Sequence, residues 1–123
     1  MPKLAGVSIQ IEVYRKFQAY NDLLEEYFER VSSRFPGTMT LNEIRIAHAI
    51  LIGTMNGDRT DNASVSEQLG ISKATVSRAV QRLIELGEYT ETIDPDDRRR
   101  RVLKFTPKGL QRAEDWVAWI SSI

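Results

Sequence analysis

The chain has 123 residues, 41% of them hydrophobic and 28% charged, with a formal net charge of zero; these are the values of one ordinary globular domain. It contains no cysteine, which excludes disulfides, a thiol redox sensor and a thiolate metal site. There is no apolar run of bilayer length and no basic-then-apolar leader, so the expected location is the cytoplasm, with no membrane partner.

Val13, Phe17, Tyr20, Leu24, Tyr27 and Val31 recur at spacings of four and three, the heptad seam of a first helix, with Tyr14, Asn21 and Phe28 beside it. This apolar stripe is wider than the ~100° arc that one core requires. Part of it is therefore expected to face a second subunit, although both terminal helices could instead wrap their own domain. Phe35-Pro36-Gly37 then breaks the chain. Thr40 and Glu43 form a capping box, in which hydroxyl and carboxylate each bond the other residue's backbone N–H. The helix they open is predicted to reach about Met55, with Leu41, Ile44, Ala47, Ile50 and Leu51 as central core. His48, the single histidine, lies on this apolar helix, where a core or crevice role outweighs that of a catalytic base. Asn56 to Asn62 has loop composition.

Ser64 and Glu67 read as a second capping box, and Gly70 supplies the left-handed residue that ends the helix. Ser72 caps a further helix whose Val76, Val80, Leu83 and Gly87 fall on one stripe, opposite Ala74, Thr75, Arg78, Gln81 and Arg82. From Ser72 to Ile84 this helix carries Lys73, Arg78 and Arg82 and no acid. Small and hydroxylated at its first turn and basic beyond it, such a helix can approach base edges in a major groove; a solvated surface helix is the plainer alternative. Tyr89 to Ile93 and Arg101 to Phe105 are β-prone and flank the turn Asp94-Pro95-Asp96-Asp97. Seven positive residues and no acid lie between positions 98 and 112. An arginine-tipped hairpin suits a narrow minor groove, while edge arginines can also simply discourage aggregation. A last helix starts at Pro107, with Leu110, Ala113, Val117 and Ile120 on one stripe and Trp116, Trp119 and Ile123 on another.

Leu83-Ile84-Glu85-Leu86-Gly87, then Tyr89, then Asp94-Pro95-Asp96-Asp97-Arg98-Arg99, then Phe105-Thr106-Pro107-Lys108-Gly109 resembles the recognition-helix-to-wing segment of MarR-type transcriptional regulators. The resemblance covers most of the chain. It implies that Asp97 orients Arg99 into a minor groove, and that the protein is a homodimer in which first and last helices intertwine. It also implies a small anionic or phenolic effector that weakens DNA binding, for which Tyr14, Phe17, His48 and Trp116 are the crevice candidates. The branch of the family that senses peroxide through cysteine is excluded. Members usually carry one more C-terminal helix, whereas this sequence reaches Ile123 after a single helix from Pro107. The expected dimer contact therefore leans on the first helix or is reduced, which weakens the expectation of the usual crevice.

The expected fold is mainly α with a small β-hairpin wing. In it, residues 1–37 form an N-terminal dimerisation helix, 38–106 a winged helix-turn-helix and 107–123 a C-terminal dimerisation helix. The expected function is a sequence-specific, double-stranded DNA-binding regulator, a homodimeric repressor on a pseudo-palindromic operator. Arg78 is the candidate base reader, Ala74, Thr75 and Ser77 lie at close range to bases, and Ser72, Lys73 and Arg82 hold phosphates. Arg99 with Asp97 serves the minor groove, and Arg98 and Arg100 serve as DNA-backbone contacts or as substitutes for Arg99. The alternatives are a winged-helix module for protein contact, or a phage or plasmid replication or partition factor. No enzyme, cofactor or metal is expected, since Gly-rich phosphate loops, metal-spaced carboxylates and nucleophile elbows are missing from the sequence. Asp94, Asp96 and Asp97 read as turn residues and as partners for arginine.

Overall fold

The computed structural model describes residues 2–34, 37 and 39–123, and the chain divides into two compact units, Met1–Met39 and Thr40–Ile123. The break expected at Phe35 and Pro36 lies outside the described residues. The last helix, read above as a segment of its own, belongs to the second unit.

The first unit opens with a hairpin of β1 (Lys3–Leu4) and β2 (Val7–Ser8), Lys3 opposite Ser8. Ala5 and Gly6 at the turn have φ of 50° and 81°, both positive as in a type I′ turn, whose twist matches that of the strands. The sequence reading missed this hairpin because alanine stands where such turns usually carry asparagine or aspartate. Helix α1 (Ile11–Arg34) follows. Val31 is buried, while Val13, Tyr14, Phe17, Tyr20 and Phe28 are exposed on this long helix.

The second unit contains α2 (Leu41–Met55), α3 (Asn62–Leu69), α4 (Lys73–Glu85), β3 (Tyr89–Ile93), β4 (Arg101–Phe105) and α5 (Pro107–Ser121). Helix α4 packs against α2 and α3, and β4 packs against α2 and α5. Strands β3 and β4 pair antiparallel, from Tyr89 opposite Phe105 to Ile93 opposite Arg101. Ile46, Ile50, Val65, Val76 and Val80 are the most deeply buried apolar side chains, joined by Ala79, Leu83, Val102 and Leu103. The three helices and the hairpin thus share one apolar centre, which holds the outer face of α4 away from the core.

Four details depart from the sequence reading. Helix α2 buries Ile46, Ala49 and Ile50, while Leu41 is exposed and Ile44, Ala47 and Leu51 are half-buried. Because α2 is apolar around nearly its whole circumference, periodicity could not select the buried side. Helix α3 begins one turn early, since its cap is Asp61, whose carboxylate accepts the Ser64 N–H at 2.8 Å while the Ser64 hydroxyl accepts the Asp61 N–H. Ser64 is the third residue of the helix, and Glu67 is exposed. Gly87 lies beyond α4, at φ 79°; its N–H reaches Ile84 and that of Glu88 reaches Leu83, the Schellman closure that favours glycine. In α5 the inward residues are Gly109, Ala113 and Trp119, with Trp116 half-buried, whereas Leu110, Val117 and Ile120 are exposed. The two stripes read from the spacing are therefore regrouped.

Candidate nucleic-acid interface

The turn between α3 and α4 is built by three residues. Gly70 takes the left-handed conformation at φ 66°, open to glycine without a Cβ penalty. The Ser66 hydroxyl donates to the Ile71 carbonyl at 2.6 Å, and Ile71 is buried. Ser72 caps α4 by accepting the Thr75 N–H, and its hydroxyl lies 2.9 Å from that of Thr75. Burial of Val76, Ala79, Val80 and Leu83 fixes the rotation of α4. Its outer side then presents Lys73, Ala74, Ser77 and Arg78, all exposed, with Thr75 half-buried among them. The Arg78 guanidinium rests 3.5 Å from the Thr75 hydroxyl. Nothing acidic lies on α4 before Glu85.

Arg82 points elsewhere. It pairs with Glu43 at 2.7 Å, and the same Glu43 carboxylate accepts the Thr40 N–H in the capping box of α2. Partial burial pushes the Glu43 carboxyl up, but the Thr40 N–H and the Arg82 guanidinium outweigh that effect and hold it below the usual glutamate range. Arg82, expected on a phosphate, is thus a strut between α2 and α4.

At the wing tip the Arg99 side chain is 93% exposed, its Nε 3.5 Å from Asp97 Oδ1. The same Asp97 oxygen accepts the Arg99 backbone N–H at 3.1 Å. Arg98 is exposed as well. Arg100, expected on the DNA backbone, turns inward here, its Nε donating to Asp61 Oδ2 at 2.6 Å. Asp61 is pushed up by partial burial, yet the Ser64 N–H and hydroxyl and the Arg100 guanidinium together hold it below the usual aspartate range. Asp94 is buried and is approached by both Arg59 and Arg100.

The Thr106-x-x-Gly109 spacing acquires a cause. The Thr106 hydroxyl donates to the Gly87 carbonyl and accepts the Gly109 N–H as the cap of α5. A Cβ on Gly109 would overlap the Glu88 carbonyl, so the first turn of α5 can lie against the Glu88 backbone, just before β3, only with glycine there.

Of the crevice candidates, Tyr14 and Phe17 are exposed on α1. His48 and Trp116 meet edge to face in the second unit, ring centroids 6.4 Å apart, and Trp116 meets Trp119 in the same way at 5.4 Å. Among the described residues no cluster of histidine and carboxylate side chains could hold a metal ion, and no helix is long and apolar enough to cross a membrane.

Residues 55–87 match the family model described as winged helix-turn-helix DNA-binding. No curated protein matches the sequence. Among solved structures, the chain is similar to MepR of S. aureus in a DNA complex (14% identity, TM-score 0.68, 89% of this chain and 84% of that one). It is similar also to the PcaV transcriptional regulator of Streptomyces coelicolor with its natural ligand (20%, 0.53, 94% and 79%). A third is ZitR of Lactococcus lactis (16%, 0.54, 94% and 76%). The matched model describes a DNA-binding module, and PcaV is a transcriptional regulator. By fold, the chain is a winged helix-turn-helix protein, with the architecture it shares with MepR, PcaV and ZitR.

Proposed function

We propose that the chain is a homodimeric, sequence-specific DNA-binding transcriptional repressor. One α4 enters each of two successive major grooves of a pseudo-palindrome, with Arg99 of each wing in the flanking minor groove. The observation that carries this reading is the exposed, acid-free outer face of α4 around Arg78, combined with a wing arginine that projects almost wholly into solvent. Arg78 reads a base edge, since a guanidinium can bond guanine O6 and N7 together. Ala74, Thr75 and Ser77 come close to bases, while Ser72, Lys73 and Arg98 hold phosphates. Asp97 orients Arg99. Arg82 and Arg100 support the interface from behind, because each is held by a carboxylate of its own chain. Exposed Phe17 and Tyr20 on α1, and Val117 and Ile120 on α5, supply apolar surface for the second protomer. For a small effector the candidates are Tyr14 and Phe17 on α1 and, separately, the His48 and Trp116 pair of the second unit; the neighbours solved with DNA and with a natural ligand support such a pairing of activities.

The test is selection of bound duplexes from a random-sequence pool with the purified protein. Enrichment of an inverted repeat whose half-sites lie about one helical turn apart is expected. Equal retention of all duplexes, or retention of none, would overturn the reading.

A further inference from the structure

The segment from Asn56 to Asp61, loop-like by composition, is tied closely to the wing. The Leu103 N–H of β4 donates to the Thr60 carbonyl at 2.8 Å, and Thr60 itself is buried. The Arg59 guanidinium bonds the Asp96 carboxylate and stands 3.4 Å from Asp94 Oδ1. From the other side of the tip, Arg100 donates to Asp61 Oδ2 and to the Arg59 carbonyl, and lies 3.8 Å from Asp94 Oδ2. Asp94 Oδ1 also accepts the Asp96 N–H at 2.9 Å. Within the tip, the Asp94 N–H donates to the Arg100 carbonyl and the Arg100 N–H to the Asp97 carbonyl, both at 2.9 Å.

A carboxylate as buried as that of Asp94, with 2% of its side chain exposed, is costly unless it is paired. Here its two oxygens face two guanidiniums that arrive from different segments, so the tip cannot rotate without separating at least one pair. Asp61 is also the cap of α3. One carboxylate therefore belongs at once to the helix-turn-helix and to the wing. Arg99 is one residue from Arg100 and two from Asp97, inside the closed tip, so its direction of projection follows that of the tip.

We propose that Arg59 and Arg100 are positioning residues that lock the wing tip to the start of α3, through Asp94 and Asp61, and thereby aim Arg99. The proposal rests on the reading that Arg99 enters a minor groove. It predicts that neither residue acts except through Arg99.

A double-mutant cycle on the selected operator tests this, with Arg59→Gln, Arg100→Gln, Arg99→Ala and the two doubles measured over a salt series on A·T-rich and G·C-rich flanks. Each glutamine variant is expected to weaken binding about tenfold on A·T-rich flanks and much less on G·C-rich ones. In the Arg99→Ala background both should add no further loss and leave the salt slope unchanged. Arg59 is half-exposed, so Arg59→Gln keeps the test open should Arg100→Gln fail to fold. Additive losses, equal losses on both kinds of flank, or a fall of about one unit in salt slope in the Arg99→Ala background would overturn the proposal while leaving the minor-groove reading intact. Wild-type binding by Arg99→Ala would instead overturn that reading, and this proposal with it.

Discussion

At the scale of single residues, position on α4 distinguishes the proposed base reader from the proposed phosphate contact. Arg78 is exposed and lies mid-helix, so Arg78→Ala is expected to cost about 1–3 kcal/mol on the operator and to relax preference at one base pair. Lys73 lies at the first turn, beside the cap; Lys73→Ala should weaken operator and scrambled DNA alike and lower the salt slope by about one unit. Gel shifts of both variants on both duplexes check the pair. Gly109 makes a different kind of demand. Any Cβ there meets backbone, the Glu88 carbonyl, which cannot swing aside as a flexible side chain could. Gly109→Ala is therefore expected to lose about 3 kcal/mol of stability, the upper part of the overpacking range, measured by denaturant unfolding.

At the scale of elements, caps double as tethers. Glu43 caps α2 and holds Arg82 of α4, and Asp61 caps α3 and holds Arg100 of the wing. In each case one carboxylate satisfies a helix terminus and a guanidinium together, so removing the carboxylate removes its capping bond and the tertiary contact at once. Both carboxyls are held below their unfolded values, so the open chain takes up these protons at higher pH than the fold does. Their stabilisation is complete above the unfolded carboxylate range, about pH 4–4.5, and is lost as acid titrates them in the fold. A melting temperature that is level from neutral pH to about pH 5 and falls below about pH 4 is the expected profile. In the double variant Glu43→Gln/Asp61→Asn that acid slope should be shallower, with a lower melting temperature at neutral pH. Thermal melts across a pH series check both.

At the scale of the whole molecule, much apolar surface remains uncovered in one chain. Phe17 on α1 is 66% exposed, and Val117 and Ile120 on α5 are 51% and 58% exposed; open apolar side chains of this kind are what the proposed dimer contact would cover. If either helix joins two protomers, a charge placed on its open side opposes association without disturbing the core of the second unit. Val117→Glu and Phe17→Glu are expected to shift the protein toward monomer in sedimentation, with unchanged circular dichroism, and to lose operator binding together with the dimer. Retained dimer in both variants would move the contact elsewhere.

Local chemistry was legible in the amino-acid sequence wherever it depends on neighbours in the chain. The Thr40 and Ser72 caps, the Gly70 turn, both wing strands and the Pro107 start all depend on residues within four positions of one another, and all stand where they were expected. What only tertiary structure decided was the choice among local options that look alike. The buried side of α2, the earlier cap of α3 at Asp61 and the regrouped stripes of α5 are of this kind. So is the inward turn of Arg82 and Arg100, since each carboxylate partner lies 39 positions away in sequence. An arginine in a basic run looks the same in sequence whether it faces solvent or a carboxylate. Only the packed fold brings the second group within bonding distance, and a guanidinium near a partly buried carboxylate is drawn to it.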